Sequence, residues 1–282
     1  MTQEKETAMF GTKRIIGFSA LALLALTAQT TPDPHRPAPT LDSTAPALPP
    51  LKRPAILIFS KTNSYRHDSI PAATAAIAKL VRARGWSVYT TENAAIFNPA
   101  QLARFDALIF ASATGDLFTP DQRAAFQKYL AGGRGFVGLH AAGDGSHPAW
   151  YQELLGYGGY TGHPGGGDQF QQSQLILLDR SHPATRHLPP RWRWTEEYYA
   201  WQAPLRADAH ILARLDETGM RLEPKHTMGE KHAMIWWRCE GKARIFYSAL
   251  GHKPEAFADP AHLKMIDGAI TWAARKSGKG CD

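Results

Sequence analysis

From residue 55 onward the chain alternates short apolar runs with polar breaks marked by glycine and proline. Ala55-Ile-Leu-Ile-Phe-Ser60, Ala107-Leu-Ile-Phe110 and Phe136-Val-Gly-Leu139 are apolar at nearly every position. Runs of that kind predict strands buried on both faces of a parallel sheet. Trp86-Ser-Val-Tyr-Thr90 predicts a further strand. Helical spacing lies between them. Ile77, Leu80 and Val81 recur up to Gly85, behind a start at Asp68 or Ser69 with Pro71 in the first turn. Thr119-Pro120 opens a second helix that carries Phe126 and Leu130 and stops at Gly132-Gly133. This alternation predicts an α/β fold, a mainly parallel sheet with right-handed crossovers and helices on both faces. Apolar runs at 174–178, 211–215, 233–237 and 244–248 follow on short links, and an amphipathic helix spans 260–275. These late strands are expected to form an antiparallel C-terminal extension.

The first residues follow another logic. Lys13-Arg14 precede an apolar run over 15–26, and Thr27-Ala28-Gln29 comes after it. That order is a secretory signal peptide, expected over 1–29, with Met9 as an alternative start. The run falls short of the ~20 apolar residues a membrane span needs, so no stable membrane insertion is expected. Residues 30–54 are rich in Pro, Thr and Ala and are read as a Pro-rich linker, because proline cannot serve a helix or sheet interior. The folded domain is expected over 55–276, with a tail at 277–282. The expected location is therefore exported, periplasmic or secreted.

The formal charge of +7 changes little, since the basic residues are dispersed and form no stripe suited to nucleic acid. Cys239 and Cys281 allow at most one disulfide, which an exported location permits. A bridge across about 40 residues is worth roughly 4 kcal/mol in the chain-entropy view.

Candidate chemistry gathers where strands meet loops. Gly135-Phe-Val-Gly-Leu-His140 ends an apolar strand on an imidazole, and open α/β sheets bind ligands at that strand end. Arg66-His67-Asp68 follows the first strand, Asp144 follows His140, and His163 sits in a glycine-rich loop. Glu196-Glu197-Tyr198-Tyr199 follows Trp192 and Trp194; the two acids read either as site carboxylates or as a solvated pair. His232 opens one late strand and His252 closes the next. Tryptophans such as Trp236 fit either sugar stacking or the core. The chain has no H-E-x-x-H, no G-x-S-x-G elbow and no phosphate loop.

Several of these stretches resemble the ThuA-like (trehalose-utilisation) family. They are residues 59–70, Gly138-Leu-His-Ala-Ala-Gly-Asp144, Trp150-Tyr-Gln-Glu-Leu-Leu-Gly156, Gly162-His-Pro164, Glu196-Glu-Tyr-Tyr199, His232-Ala-Met-Ile-Trp236, the run Ala243 to His252, and Ile270-Thr-Trp-Ala273. The chain departs from the usual pattern at His147-Pro148-Ala149 and where Ala233 follows His232. The resemblance implies a flavodoxin-like, class I glutamine amidotransferase-like fold. By that likeness His140 stands at the elbow where those enzymes hold a cysteine, and His252 near their partner histidine. Neither cysteine of this chain lies there, so glutaminase chemistry, which needs a thiolate, is not expected.

The resemblance implies one of two functions. One is action on a carbohydrate, a disaccharide or glycoside and in particular a 3-keto-glycoside, through a histidine-rich site that holds a divalent metal, zinc or similar. His67, His140, His163, His232, His252 and Glu197 form the pool of ligands. His140, His163 and His232 are expected to bind metal, and His140, Asp144, Glu197 and His252 to carry catalysis. Arg66, His67, Tyr199 and Trp236 are expected to bind substrate. The other function is a non-catalytic sugar-binding domain, since fold alone does not fix activity. Oligomeric state is left open.

Overall fold

A computed structural model of the chain describes residues 1–2 and 33–281. The expected leader lies, but for its first two residues, outside the described residues. Residues 33–281 belong to one unit.

The chain runs β1 (Ala55–Phe59), α1 (Ile70–Ala83), β2 (Ser87–Thr91), α2 (Pro99–Leu102), β3 (Ala107–Ala111), α3 (Pro120–Ala131), β4 (Gly135–Leu139) and α4 (Ala149–Leu155). It continues through β5 (Tyr160–Gly162), β6 (Gln171–Leu177), β7 (Arg191–Glu196), β8 (Ala200–Trp201), β9 (His210–Asp216), β10 (Ala233–Glu240), β11 (Ala243–Ser248) and α5 (Pro260–Ala273). Among the described residues, nine strands form one sheet in the order β2-β1-β3-β4-β11-β10-β9-β6-β7. β5 and β8 pair separately.

β1, β3 and β4 are buried at every position, as their unbroken apolar composition requires. The neighbours β2, β1, β3, β4 and β11 all run parallel. The chain steps from β1 outward to β2, then crosses back to β3 and β4. Right-handed crossovers in opposite directions put α1 and α3 on opposite faces and leave a crevice beyond the carboxyl ends of the strands. A phenylalanine cluster of Phe59, Phe97, Phe110, Phe126 and Phe136 fills one layer of the core. α5 packs so closely on β4 that a Cβ at Gly135 would lie 2.2 Å from the Ala273 carbonyl oxygen.

The extension joins the parallel core through β11, which pairs antiparallel with β10, as expected, and parallel with β4 on its other edge; β10, β9, β6 and β7 then alternate in direction. A run's apolar character does not encode its direction. β7 is an additional strand, and Arg191-Trp-Arg-Trp194 does alternate with the period of a half-buried one.

Residues 33–54, the described part of the Pro-rich stretch, form no helix or strand, but they do not hang free as a linker. Gln122 Nε2 donates to the Asp42 carbonyl at 2.7 Å, and Gln101 Nε2 to the Pro46 carbonyl at 2.6 Å. The C-terminal tail is likewise pinned, because Cys239 of β10 and Cys281 form a disulfide.

Candidate metal centre

Strand direction assembles the site. β11 is parallel to β4, and from β11 to β7 the direction alternates, so β7 ends at the same edge as β1, β4 and β11. His67 follows β1, His140 follows β4, Glu197 follows β7 and His252 follows β11. One side-chain nitrogen or oxygen from each meets within 4.8 Å of the others.

His140 lies at the centre and is fully buried. It leaves β4 with φ +49°, a left-handed conformation that costs energy for a non-glycine residue and persists only where the surroundings enforce it. Tyr247 enforces it: its hydroxyl donates to the His140 carbonyl at 2.6 Å. The same ring explains Gly143, where a Cβ would fall 2.4 Å from Tyr247. The His140 Nδ1–H donates to the Ala249 carbonyl at 3.0 Å, which assigns the proton to that nitrogen and leaves Nε2 as a bare acceptor.

Around Nε2 stand His67 Nε2 at 3.2 Å, His252 Nδ1 at 3.2 Å and the Tyr199 hydroxyl at 3.0 Å. Glu197 Oε2 is 3.7 Å from His140 Nε2 and 2.9 Å from His252 Nδ1. His67 Nε2 and His252 Nδ1 both face the bare His140 Nε2, and Glu197 stands beside them, so a cation placed among them would engage an imidazole or carboxylate lone pair from each. The spacing also fits, since donors ~2.1 Å from a tetrahedral zinc lie roughly 3.3 Å apart. The Ala249 carbonyl then serves as the outer partner that orients His140.

Electrostatics point the same way. Burial, reinforced by the neighbouring His252 charge, pushes the His67 imidazole down to about 3. Burial and the His67 charge hold His140 well below the usual histidine range. Burial alone would raise Glu197, but the hydrogen bond from His252 and the charges of His140, His252 and His163 hold it at about 2. A neutral His67 and His140 beside an ionised Glu197 are protonation states that suit a divalent ion.

Glu196, adjacent to Glu197, does different work. Its Oε2 accepts from Gly251 N–H at 2.7 Å and Trp194 Nε1 at 3.1 Å. Its Oε1 accepts from Glu197 N–H at 3.0 Å and His252 N–H at 3.2 Å. Burial pushes its carboxyl up, against those four donors. It ties the ends of β7 and β11 together and so places two of the four candidate ligands.

The centre opens into a cavity of about 590 Å³ whose walls include Asp144, Tyr160, His163, Gln169 and Tyr199. Gln169 Nε2 donates to Glu197 Oε1 at 2.6 Å, a contact the sequence did not suggest. Burial raises the Asp144 carboxyl, although Ser146 donates to it from both backbone and hydroxyl.

The structure brings His140, Glu197, His252 and Tyr199 together, and Asp144 lines the cavity. His67, expected to touch substrate, is among the four grouped residues. His163 stands beside that group, its Nδ1 3.3 Å from Glu197 Oε1 and 2.9 Å from the Pro164 carbonyl. His232 is corrected: Nδ1 is 2.6 Å from Glu217 and Nε2 2.8 Å from the Tyr199 carbonyl, so neither nitrogen is available for a metal. Arg66 is also corrected, since its guanidinium pairs with Glu92. Trp236 is core, buried against Tyr247 with its Nε1 donating to the Leu155 carbonyl.

The fold and this site define an amidotransferase-like α/β protein with a histidine–carboxylate cluster at the strand ends and no free cysteine among the described residues. Residues 55–273 match the family described as ThuA, trehalose utilisation, and the chain belongs to that family. Two solved structures are similar: a putative ThuA-like protein from Bacteroides uniformis at 22% identity, covering 82% of this chain and 95% of that one with TM-score 0.65, and another from Parabacteroides merdae at 17% identity, 81% and 93% coverage and TM-score 0.61. A β-galactosidase from Rahnella shares the fold over 80% of this chain and 32% of its own, with 12% identity and TM-score 0.52. No curated protein matches the chain. Among the described residues, no helix is long and apolar enough to cross a membrane.

Proposed function

We propose that this chain is an exported carbohydrate-active enzyme in which His67, His140, His252 and Glu197 hold a divalent ion, zinc or similar, and which cleaves glycosides carrying a 3-keto group. The observation that carries the reading is the convergence of four donor groups, His67, His140 and Glu197 buried and His252 partly so, each following a different strand, beside an open cavity. Membership of a trehalose-utilisation family supports a sugar substrate. The Cys239–Cys281 disulfide and the signal-like N-terminus support export.

In a 3-keto-glycoside the C2 proton is acidic. Its removal, with formation of the C1–C2 double bond, expels the glycosidic oxygen, which leaves with a proton. The ion's contribution when bound is to stabilise negative charge developing on the ketone oxygen. His163 is the proposed base. Its side chain is 33% exposed, and with Nδ1 engaged, Nε2 is left to take the proton. Asp144, its carboxyl raised by burial, is the proposed acid that returns a proton to the leaving oxygen.

The test is metal content and turnover of purified protein on 3-keto-trehalose. About one zinc per chain and release of free sugar are expected, with both lost in His140→Ala. His163→Ala should keep the zinc and lose about 10²-fold or more in rate, the range for a general base. A protein that binds sugar but neither holds metal nor turns over is instead a sugar-binding domain.

A further inference from the structure

Residues 33–42 read as spacer but are hydrogen-bonded to the site. Arg66 N–H donates to the His35 carbonyl at 2.8 Å, and His35 Nδ1 meets the Arg66 carbonyl at 3.0 Å. The His35 ring stacks on Tyr65, with centroids 5.4 Å apart and planes within 9°. Thr40 and Asn63 are joined both ways as well: Thr40 N–H donates to Asn63 Oδ1 at 3.1 Å, and Asn63 Nδ2 to the Thr40 carbonyl at 2.9 Å. Lys61, buried, places Nζ 2.9 Å from Asp42 Oδ2 and 3.0 Å from Thr40 Oγ1.

All of these partners lie in the loop 61–67, which ends on His67. A chain segment held by reciprocal backbone and side-chain bonds has lost the conformational freedom that defines a spacer. Next to His35, Arg36 lines the cavity above the metal-centre residues. Among the described residues no carboxylate pairs with its guanidinium.

We propose that residues 33–42 are a built part of the site: they position the loop that presents His67, and they set Arg36 at the cavity wall as a sugar-binding residue. The guanidinium offers a planar fork of donors that matches paired oxygens, such as vicinal hydroxyls or a carboxylate on a sugar ring. The Arg36 role rests on the function proposed above; the positioning role does not. Removal of a leader must then spare Asp33 and the residues after it.

The test compares full-length wild type with His35→Ala, Thr40→Val and Arg36→Ala. Hydrogen–deuterium exchange is monitored over 61–68, with zinc affinity and 3-keto-trehalose affinity measured alongside. Exchange over 61–68 should quicken about tenfold in His35→Ala and less in the milder Thr40→Val, without faster exchange in the core strands. Zinc affinity in His35→Ala should fall about tenfold, as for loss of a residue that orients a ligand. Arg36→Ala should leave exchange and zinc affinity unchanged and raise the sugar Kd about tenfold, with Arg36→Lys recovering only part, since an ammonium lacks the fork. Unchanged exchange over 61–68 in His35→Ala and Thr40→Val overturns the positioning role. Unchanged sugar affinity in Arg36→Ala, or a wild type that binds no sugar, overturns the Arg36 role. A wild type that takes up no zinc sinks the metal-dependent function, while the exchange readout still decides the positioning role.

Discussion

Adjacent residues at the end of a strand take opposite roles here. Glu197 turns its carboxylate to the histidines, while Glu196 accepts four N–H groups that join β7 to β11. Glu197→Gln removes the negative ligand and should abolish stoichiometric zinc, measured by metal analysis. Glu196→Gln keeps the shape but turns an amide N–H₂ toward donors. About 1–3 kcal/mol of stability should go with the unsatisfied groups, and zinc affinity should fall about 10- to 100-fold. Titration of zinc into both variants separates the roles, since unaltered affinity in Glu196→Gln would remove it as a positioning residue. The sequence displayed both acids but not which one faced inward. His232 shows the same limit. It sits in a family-like motif and at a strand start, yet Glu217 and the Tyr199 carbonyl occupy its ring.

At the level of elements, strands with continuous apolar runs were legible, because burial on both faces leaves a signature that needs no partner. Helix starts were too. Thr119 caps α3 with a capping box to Gln122, and Thr119→Ala should cost about 1 kcal/mol, read from the urea midpoint. Strand partners were not legible, which is why the parallel pairing of β11 with β4 could not be read from its apolar pattern. The disulfide joins β10 to the tail across 42 residues of sequence, close to the end of α5. Replacing both cysteines with serine should lower stability by up to about 4 kcal/mol, and the tail beyond α5 should exchange amide protons first.

For the whole molecule, acid should be destabilising well before the carboxylates titrate. Burial holds both His182 and His262 at about 4, below the ordinary value of 6.5. Between those limits the unfolded chain binds protons that the folded chain does not. Their neutral burial is therefore without penalty above about pH 6.5, and stability falls as pH drops from there toward 4. The slope is about 1.4 kcal/mol per pH unit for each imidazole. Urea unfolding at pH 7, 5.5 and 4.5 checks this, and His262→Gln should flatten the dependence. What the sequence determined by itself was local. Apolar runs specified the central strands, caps and glycines their boundaries, and ordered motifs the family. Only the tertiary structure decided which distant groups share a space. The convergence of His67, His140, Glu197 and His252 depends on sheet order and strand direction, and so does the docking of residues 33–42 beside them. Both are set by packing across the whole sheet, which a pattern with a period of two or 3.6 residues does not record.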